Sequence, residues 1–368
     1  MQRFTNPRDI YHGKGALEAL KTLDGKKAII CVGGGSMKRF GFLDKAKAYL
    51  EEAGMEVTIF EGIESDPSVE TVMKGAAVMQ EFEPDWIVAI GGGSPIDAAK
   101  AMWIKYEYPD TTFEDMCKVF GLPKLRTKAR FCAVSSTSGT ATEVTAFSII
   151  TNYANGVKYP IADFEITPDV AIVDPELSAT VPPRTTMNTG LDALAHALEG
   201  YWSVNHQPIP DIMAAEAVRM VLQNLETAWG EPGNMTAREN MAYASLLGGL
   251  SFALPKTAAC HGCSYPLSED YHLPHGEACA FTLDSFVLIN TDERLEALCK
   301  AAGLSGTEEL AERIRSLKEL AGLRTRLSQL GEVNLDKLCS DCAKHPLMNN
   351  NPVRMDEEKL HTMFEALA

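Results

Sequence analysis

The sequence predicts an α/β domain built on a parallel sheet, followed by an all-α domain. Three observations carry that prediction. Short, wholly apolar runs alternate with amphipathic stretches through the first half; three glycine-rich or hydroxyl-rich turns each follow such a run; and beyond residue 187 nearly everything reads as helix. Strands buried on both faces lose the in–out alternation of an exposed sheet. Helices between them provide the crossovers that parallel pairing needs.

The expected strands are KKAIICV (26–32), MEVTIF (55–60), DWIVAIG (85–91), RFCAVS (130–135) and VAIVD (170–174). Between them, FLDKAKAYLEEAG (42–54) and SVETVMKGAAVMQEF (68–82) carry apolar residues at helical spacing. The double proline after DPELSATV marks a loop, which places the boundary near 180: a dinucleotide-binding α/β domain over 1–180 and a helical domain over 181–368. A cleft between two such domains is the default place for a ligand.

Composition narrows the function. The 368 residues are long enough for two domains. Fifty acidic against 34 basic residues give a formal charge of −16, which leaves no electrostatic footprint for nucleic acid or an anionic membrane. No run reaches membrane-span length, and MQRFTNPRDIYHGKG lacks the apolar stretch of a secretory leader. Nine scattered cysteines, several in apolar runs, read as reduced thiols. A cytoplasmic protein is expected.

The sharpest turn is VAIGGGSPIDAAKAM (88–102). Ser94 as N-cap, Pro95 opening the helix and Asp97 three residues after the serine predict a capped helix start. Gly92 and Gly93 let phosphates approach backbone N–H groups where the helix dipole favours negative charge. A plain strand-to-helix turn would look the same. In VGGGSMKRFG (32–41), Gly33, Gly34, Gly35 and Ser36 lead to Lys38 and Arg39 with no carboxylate. That favours a 2′-phosphate, hence NADP(H). Glu61, at the end of the next strand, is the competing NAD-type ribose contact. The third turn, SSTSGTATE (135–143), offers Thr137, Ser138 and Thr142 as hydroxyl partners.

In GLDALAHALEG (190–200), Asp192 and His196 share one face of an otherwise apolar helix. Two buried polar groups there need partners. His261 and His275, each followed by glycine, complete a carboxylate-plus-three-imidazole set suited to Fe²⁺ or Zn²⁺. His272, three residues before His275, is not separated from it by spacing. Cys260 and Cys263 form a Cys-x-x-Cys, but a structural zinc site needs two more ligands, and Cys279, the one candidate, lies in an apolar run.

Taken together, GGGSPIDAAK, SSTSGTATEVT, PDVAIVDPEL, GLDALAHALE and the paired CHG…PHG resemble the iron-containing (group III) alcohol dehydrogenase family, in the expected order over nearly the whole chain. The resemblance implies a Rossmann-like domain followed by a helical metal-binding and catalytic domain, the dehydroquinate synthase-like two-domain architecture. It implies Asp192, His196, His261 and His275 as metal ligands and no cysteine among them. Gly92, Gly93, Ser94 and Asp97 would hold the pyrophosphate turn, and Thr137, Ser138 and Thr142 the cofactor cleft. Lys158 would reach the ribose, and Gly33, Gly34, Gly35, Ser36 and Lys38 the 2′-phosphate of the NADPH-dependent branch, with NAD the alternative. A homodimer or larger homo-oligomer is implied as well.

One departure matters. Four residues after the first histidine of the CHG…PHG pair the family usually carries another histidine; here SYPLS places Tyr265, four after His261. The run KTAACHGCSYPLSEDYHLPHG looks closer to the phosphonoacetaldehyde reductase subgroup, with Lys256 and Tyr265 as substrate contacts and Tyr265, His272 or water supplying the proton. The expected activity is reduction of an aldehyde, with or without an anionic group, to a primary alcohol. A butanol-type dehydrogenase, a zinc glycerol-type enzyme, a dehydroquinate-synthase-like lyase and a non-catalytic binding protein are the alternatives.

Overall fold

Six parallel strands form the sheet, in the order β1-β8-β5-β4-β2-β3. The structure is a computed structural model that describes residues 3–368. One unit comprises residues 5–137 and 141–181 and holds all the strands; residues 3–4, 138–140 and 182–368 form the other. In the first unit the elements run β1 (Asp9–His12), β2 (Lys27–Val32), α1 (Ser36–Arg39), α2 (Phe42–Glu52), β3 (Glu56–Phe60), α3 (Val69–Phe82), β4 (Trp86–Gly91), α4 (Gly93–Glu107) and α5 (Phe113–Met116). After them come β5 (Arg130–Ser135), β6 (Phe147–Asn152), β7 (Val157–Ala162), β8 (Val170–Val173) and α6 (Pro175–Ser178).

The apolar runs have a direct cause. Ile29, Cys31, Ile87, Ala89, Phe131 and Ala133 pack on one face, against Val72 and Met79 of α3 and Ile96 and Trp103 of α4. Ala28, Ile30, Val88, Ile90, Val134 and Ile172 pack on the other, with Leu17, Leu43, Leu50 and Leu177. Each Val, Ile, Leu, Met or Phe side chain among them contributes about 1.5–3 kcal/mol on burial, which favours apolar residues on both faces. Since β5, β4 and β2 are neighbours running in parallel, the turns that follow them emerge side by side at one sheet edge.

Four features differ from the sequence reading. β1 is a short, largely exposed edge strand with no apolar run to announce it. β6 and β7 form a separate antiparallel hairpin around Asn155 and Gly156, the latter at φ +70°. Helix α4 begins two residues earlier than Ser94 would set it: Gly92 is its N-cap, and no side chain caps it. Gly91, at φ +152°, turns the strand straight into the helix, and a Cβ there would lie 2.7 Å from Pro95 Cγ. The Ser94 hydroxyl instead accepts from the Asp66 N–H at 3.3 Å. Asp97 turns to the hairpin, accepting from the Thr142 hydroxyl (2.6 Å) and the Ile149 N–H (3.0 Å). Finally, the double proline is not a loop: Pro182 caps and Pro183 opens a helix, since a proline in the first turn forfeits no intrahelical bond.

The second unit is helical: α7 (Pro183–Trp202), α8 (Pro208–Gly230), α9 (Met235–Phe252), α10 (Ala259–Tyr271), α11 (His275–Ile289), α12 (Glu293–Ala301), α13 (Thr307–Leu320), α14 (Leu335–Lys344) and α15 (Glu357–Glu365). Its core centres on α7, which buries Leu191, Leu194 and Leu198 against Val218, Val221 and Leu225 of α8 and Met241 of α9. Among the described residues no helix is long and apolar enough to cross a membrane.

Candidate functional site

Helix α7 presents Asp192, His196 and Glu199 as a polar stripe at i, i+4 and i+7 on a buried element. Asp192 Oδ1 has no hydrogen-bond partner although the residue is only 2% exposed. Around it lie three imidazole Nε2 atoms, those of His261 at 3.5 Å, His196 at 3.8 Å and His275 at 3.8 Å. The Nε2 atoms of His196 and His261 face each other at 3.0 Å. The four side chains thus converge, from α7, from α10 and from the first residue of α11.

Their other ring atoms are spoken for. His196 Nδ1 donates to the carbonyl of Gly139 at 3.3 Å, and its ring stacks on Phe252 at 4.1 Å. The close fit of residue 139 against Thr189, 2.5 Å from where a Cβ would stand, admits only glycine. His261 Nδ1 donates to Glu199 Oε2, while Glu199 Oε1 accepts the N–H groups of Ala258, Cys260 and His261 at the start of α10. With both Nδ1 protons committed, both Nε2 lone pairs point inward, and a cation, proton or metal, has to lie between them. Gly276 lets α11 approach closely enough to deliver His275: a Cβ there would fall 2.1 Å from the Asn188 carbonyl oxygen.

Burial works against a charge on Asp192, but His196, His261 and His275 hold its carboxyl well below the usual range. Burial pushes His196 down to about 3, so its imidazole is neutral near neutral pH. A buried carboxylate with an orphaned oxygen and imidazoles presenting lone pairs make a donor set that fits Fe²⁺ or Zn²⁺.

Other predicted residues lie elsewhere. His272 is exposed at the left-handed C-cap of α10 (φ +54°) and outside the cluster, so the structure separates it from His275. Tyr265, one turn past His261, stacks on His345 at 4.5 Å. Lys256 is half-buried between α9 and α10 at φ +64°. Two residues that the sequence reading did not place at the site belong here. Glu199 was legible as a third polar residue on the α7 stripe; Cys279, set aside with the other cysteines, brings its sulfur within 4.8 Å of donor atoms of Asp192, His261 and His275. Cys260 and Cys263 stay out of this group, as free buried thiols.

In the other unit, a recess of about 290 Å³ is lined by Gly33, Gly34, Gly35, Lys38, Glu61 and Gly62. Ser36 opens the short α1 beside it. Both rivals for the ribose edge stand here, joined to each other: Lys38 Nζ lies 3.2 Å from Glu61 Oε1, in the open. Gly34 and Gly35 leave space where a Cβ would be. Gly92, Gly93 and Ser94 form the start of the fifteen-residue α4, whose first N–H groups have no intrahelical acceptor. The Thr137 hydroxyl, beside Gly92, is buried without a partner. These features suit a phosphate-bearing ligand. Three predicted contacts are engaged within the protein instead. Asp97 and Thr142 bond each other, Thr142 also accepts from the buried Lys100, and Lys158 pairs with Asp66 at 2.8 Å. Ser138 is half-exposed in the segment grouped with the helical unit.

Residues 7–175 match the family described as iron-containing alcohol dehydrogenase, and residues 186–368 its C-terminal region. The NADPH-dependent butanol dehydrogenase of Clostridium saccharobutylicum is 47% identical over 100% of this chain and 98% of its own. The 1,3-propanediol dehydrogenase of Klebsiella pneumoniae is 33% identical over 94% of this chain and 92% of its own. The crystal structure of sulfoacetaldehyde reductase from Bifidobacterium kashiwanohense in complex with NAD⁺ superposes with a TM-score of 0.94 at 35% identity, covering 100% of this chain and 99% of that one.

Proposed function

The chain belongs to the iron-containing alcohol dehydrogenase family, and from that premise we propose that it reduces a small aldehyde to a primary alcohol with NADPH. The observation that carries the proposal is the convergence of Asp192, His196, His261 and His275 around an unpartnered carboxylate oxygen. These four would hold the ion. What the bound groups supply is Lewis-acid polarisation of the carbonyl by the ion and a hydride from the dihydronicotinamide ring.

The protein's part is position and charge. The Gly139 carbonyl and Glu199 fix the two inner imidazoles in the ligating tautomer, so little reorganises when substrate arrives. His275, with 48% of its side chain exposed, marks the side from which substrate enters. Tyr265, one turn beyond His261 on α10, would hand on a proton drawn from water, a role its position on that helix supports. Gly92, Gly93 and Ser94 would take the pyrophosphate, Thr137 and Ser138 the neighbouring oxygens, and Lys38 the 2′-phosphate. For Lys38 this means leaving Glu61, an exchange favoured by a dianionic phosphate over one exposed carboxylate. The butanol dehydrogenase relative, by name NADPH-dependent, supports this choice.

Within that reaction we infer an anionic substrate, phosphonoacetaldehyde, giving 2-hydroxyethylphosphonate. Tyr265 and Lys256 in the α9–α10 region support it, and so does likeness to a reductase named for sulfoacetaldehyde, an aldehyde with an anionic group of comparable size. A butanol-type activity is the second reading, favoured by the 47% identity to an enzyme named for an uncharged substrate. NADPH oxidation by Fe²⁺- or Zn²⁺-loaded protein, screened over aldehydes with and without phosphonate or sulfonate, decides between them. Preference for butanal ends the anionic reading, and no consumption with any aldehyde ends both in favour of a lyase or a binding protein.

A further inference from the structure

We propose that Cys279 is a fifth protein donor to the metal centre and that its sulfur gives the site a preference for thiophilic ions. The proposal rests on the reading of Asp192, His196, His261 and His275 as ligands, and adds to it a residue with different chemistry.

The placement follows from the helix. Because α11 begins at His275, residue 279 lies four positions on and projects from the same face. Its Sγ is 3.7 Å from His275 Nε2, close to the 3.8 Å between that nitrogen and Asp192 Oδ1 and the 3.5 Å between Asp192 and His261. Donors bound to one ion at about 2.0–2.3 Å stand roughly 3–4 Å from one another, so the sulfur keeps the spacing of a ligand. Asp192, His261, His275 and Cys279 place one donor atom each within 4.8 Å of all the others. A second observation points the same way: Asp192 Oδ1, 2% exposed, reaches into this group with no hydrogen-bond partner.

On binding, the S–H bond breaks, the S–metal bond forms and the proton leaves to solvent; no electrons are transferred. A soft thiolate among nitrogen ligands favours Zn²⁺, Co²⁺ and Fe²⁺ over Mg²⁺ and Mn²⁺.

The test is optical. The full chain, stripped with a chelator, is titrated with Co²⁺, and parent, Cys279→Ser, Cys279→Ala and Cys263→Ser are compared. The parent is expected to show visible d–d bands and an intense near-ultraviolet sulfur-to-cobalt band. Both Cys279 variants lose the ultraviolet band, keep the d–d bands and bind Zn²⁺ at least about tenfold more weakly, since even an outer-shell partner is worth that much. Cys263→Ser keeps both sets. A parent with d–d bands but no ultraviolet band overturns the role of Cys279 and leaves the other four ligands standing, as does an ultraviolet band that survives in both Cys279 variants. A parent that binds no Co²⁺ removes the four-ligand reading itself. The parent spectrum decides the question even if a variant folds poorly.

Discussion

Replacing Glu199 by glutamine changes one atom yet should cost the protein its metal. In the parent, Oε1 accepts three backbone N–H groups, from Ala258 (3.0 Å), Cys260 (2.7 Å) and His261 (3.3 Å), and Oε2 receives the His261 Nδ1 proton. A glutamine amide can orient two ways. Turning its NH₂ toward the three amides would leave three buried donors without an acceptor, at about 1–3 kcal/mol each. The carbonyl therefore stays on the amides, and the NH₂ faces His261. Nδ1 must then accept, the ring proton moves to Nε2, and that nitrogen can no longer bind an ion. Losing this orientation should weaken Zn²⁺ binding about 10–100-fold, or roughly 1.4–2.7 kcal/mol. Competition with a chromophoric chelator measures the affinity, and melting of the metal-free protein checks that Glu199→Gln is folded. Glu199→Ala, which strips the acceptor from all three amides, should instead lower stability outright. A Glu199→Gln protein that binds Zn²⁺ as tightly as the parent would refute the tautomer argument.

Three further outcomes follow from particular contacts. Glu61→Gln should release Lys38 and raise the preference for NADPH over NADH by about tenfold, and Lys38→Ala should reverse it, as read from kcat/KM with each cofactor; unchanged ratios would take this pair out of cofactor selection. Burial raises the Glu143 carboxyl to about 7, above its ordinary value of 4.5. Its contribution is therefore fully present below pH 4.5 and lost as pH rises through about 7, a decline on the order of 3 kcal/mol; denaturant melts between pH 4.5 and 8 should show that slope shrink in Glu143→Gln. Gly276→Ala should destabilise the protein by about 1–3 kcal/mol and weaken the metal site, because its Cβ would press on the Asn188 carbonyl at 2.1 Å and shift His275; an unchanged melting temperature would show that α11 can move aside freely.

The physics of the sheet made it legible: strands buried on both faces must be apolar throughout, as in β2, β4, β5 and β8, while β3, a partly buried edge strand, was read from its β-branched and aromatic residues. An exposed edge strand and a half-buried hairpin carry no such constraint, though Asn155 followed by Gly156 was a usable turn signal. Asp192 and His196 stood out because polar residues on an apolar helix are expensive. His261 and His275 could be grouped with them by donor chemistry, but only the resemblance singled them out from His272, since nothing in spacing tells which helices meet. Cys279 was hidden for a related reason. A cysteine in an apolar run looks like packing until the helix start at His275 fixes which way it points. The cap at Ser94 failed because three glycines allowed the helix to begin earlier than any side chain could signal.

The most direct test is a turnover titration. Chelator-stripped protein receives Fe²⁺ anaerobically in substoichiometric steps, and the initial rate of aldehyde-dependent NADPH oxidation is recorded at each. A single centre built on Asp192, His196, His261 and His275 predicts a rate near zero without iron, rising linearly and breaking at one ion per chain. A stripped protein that already turns over at the full rate would contradict the account.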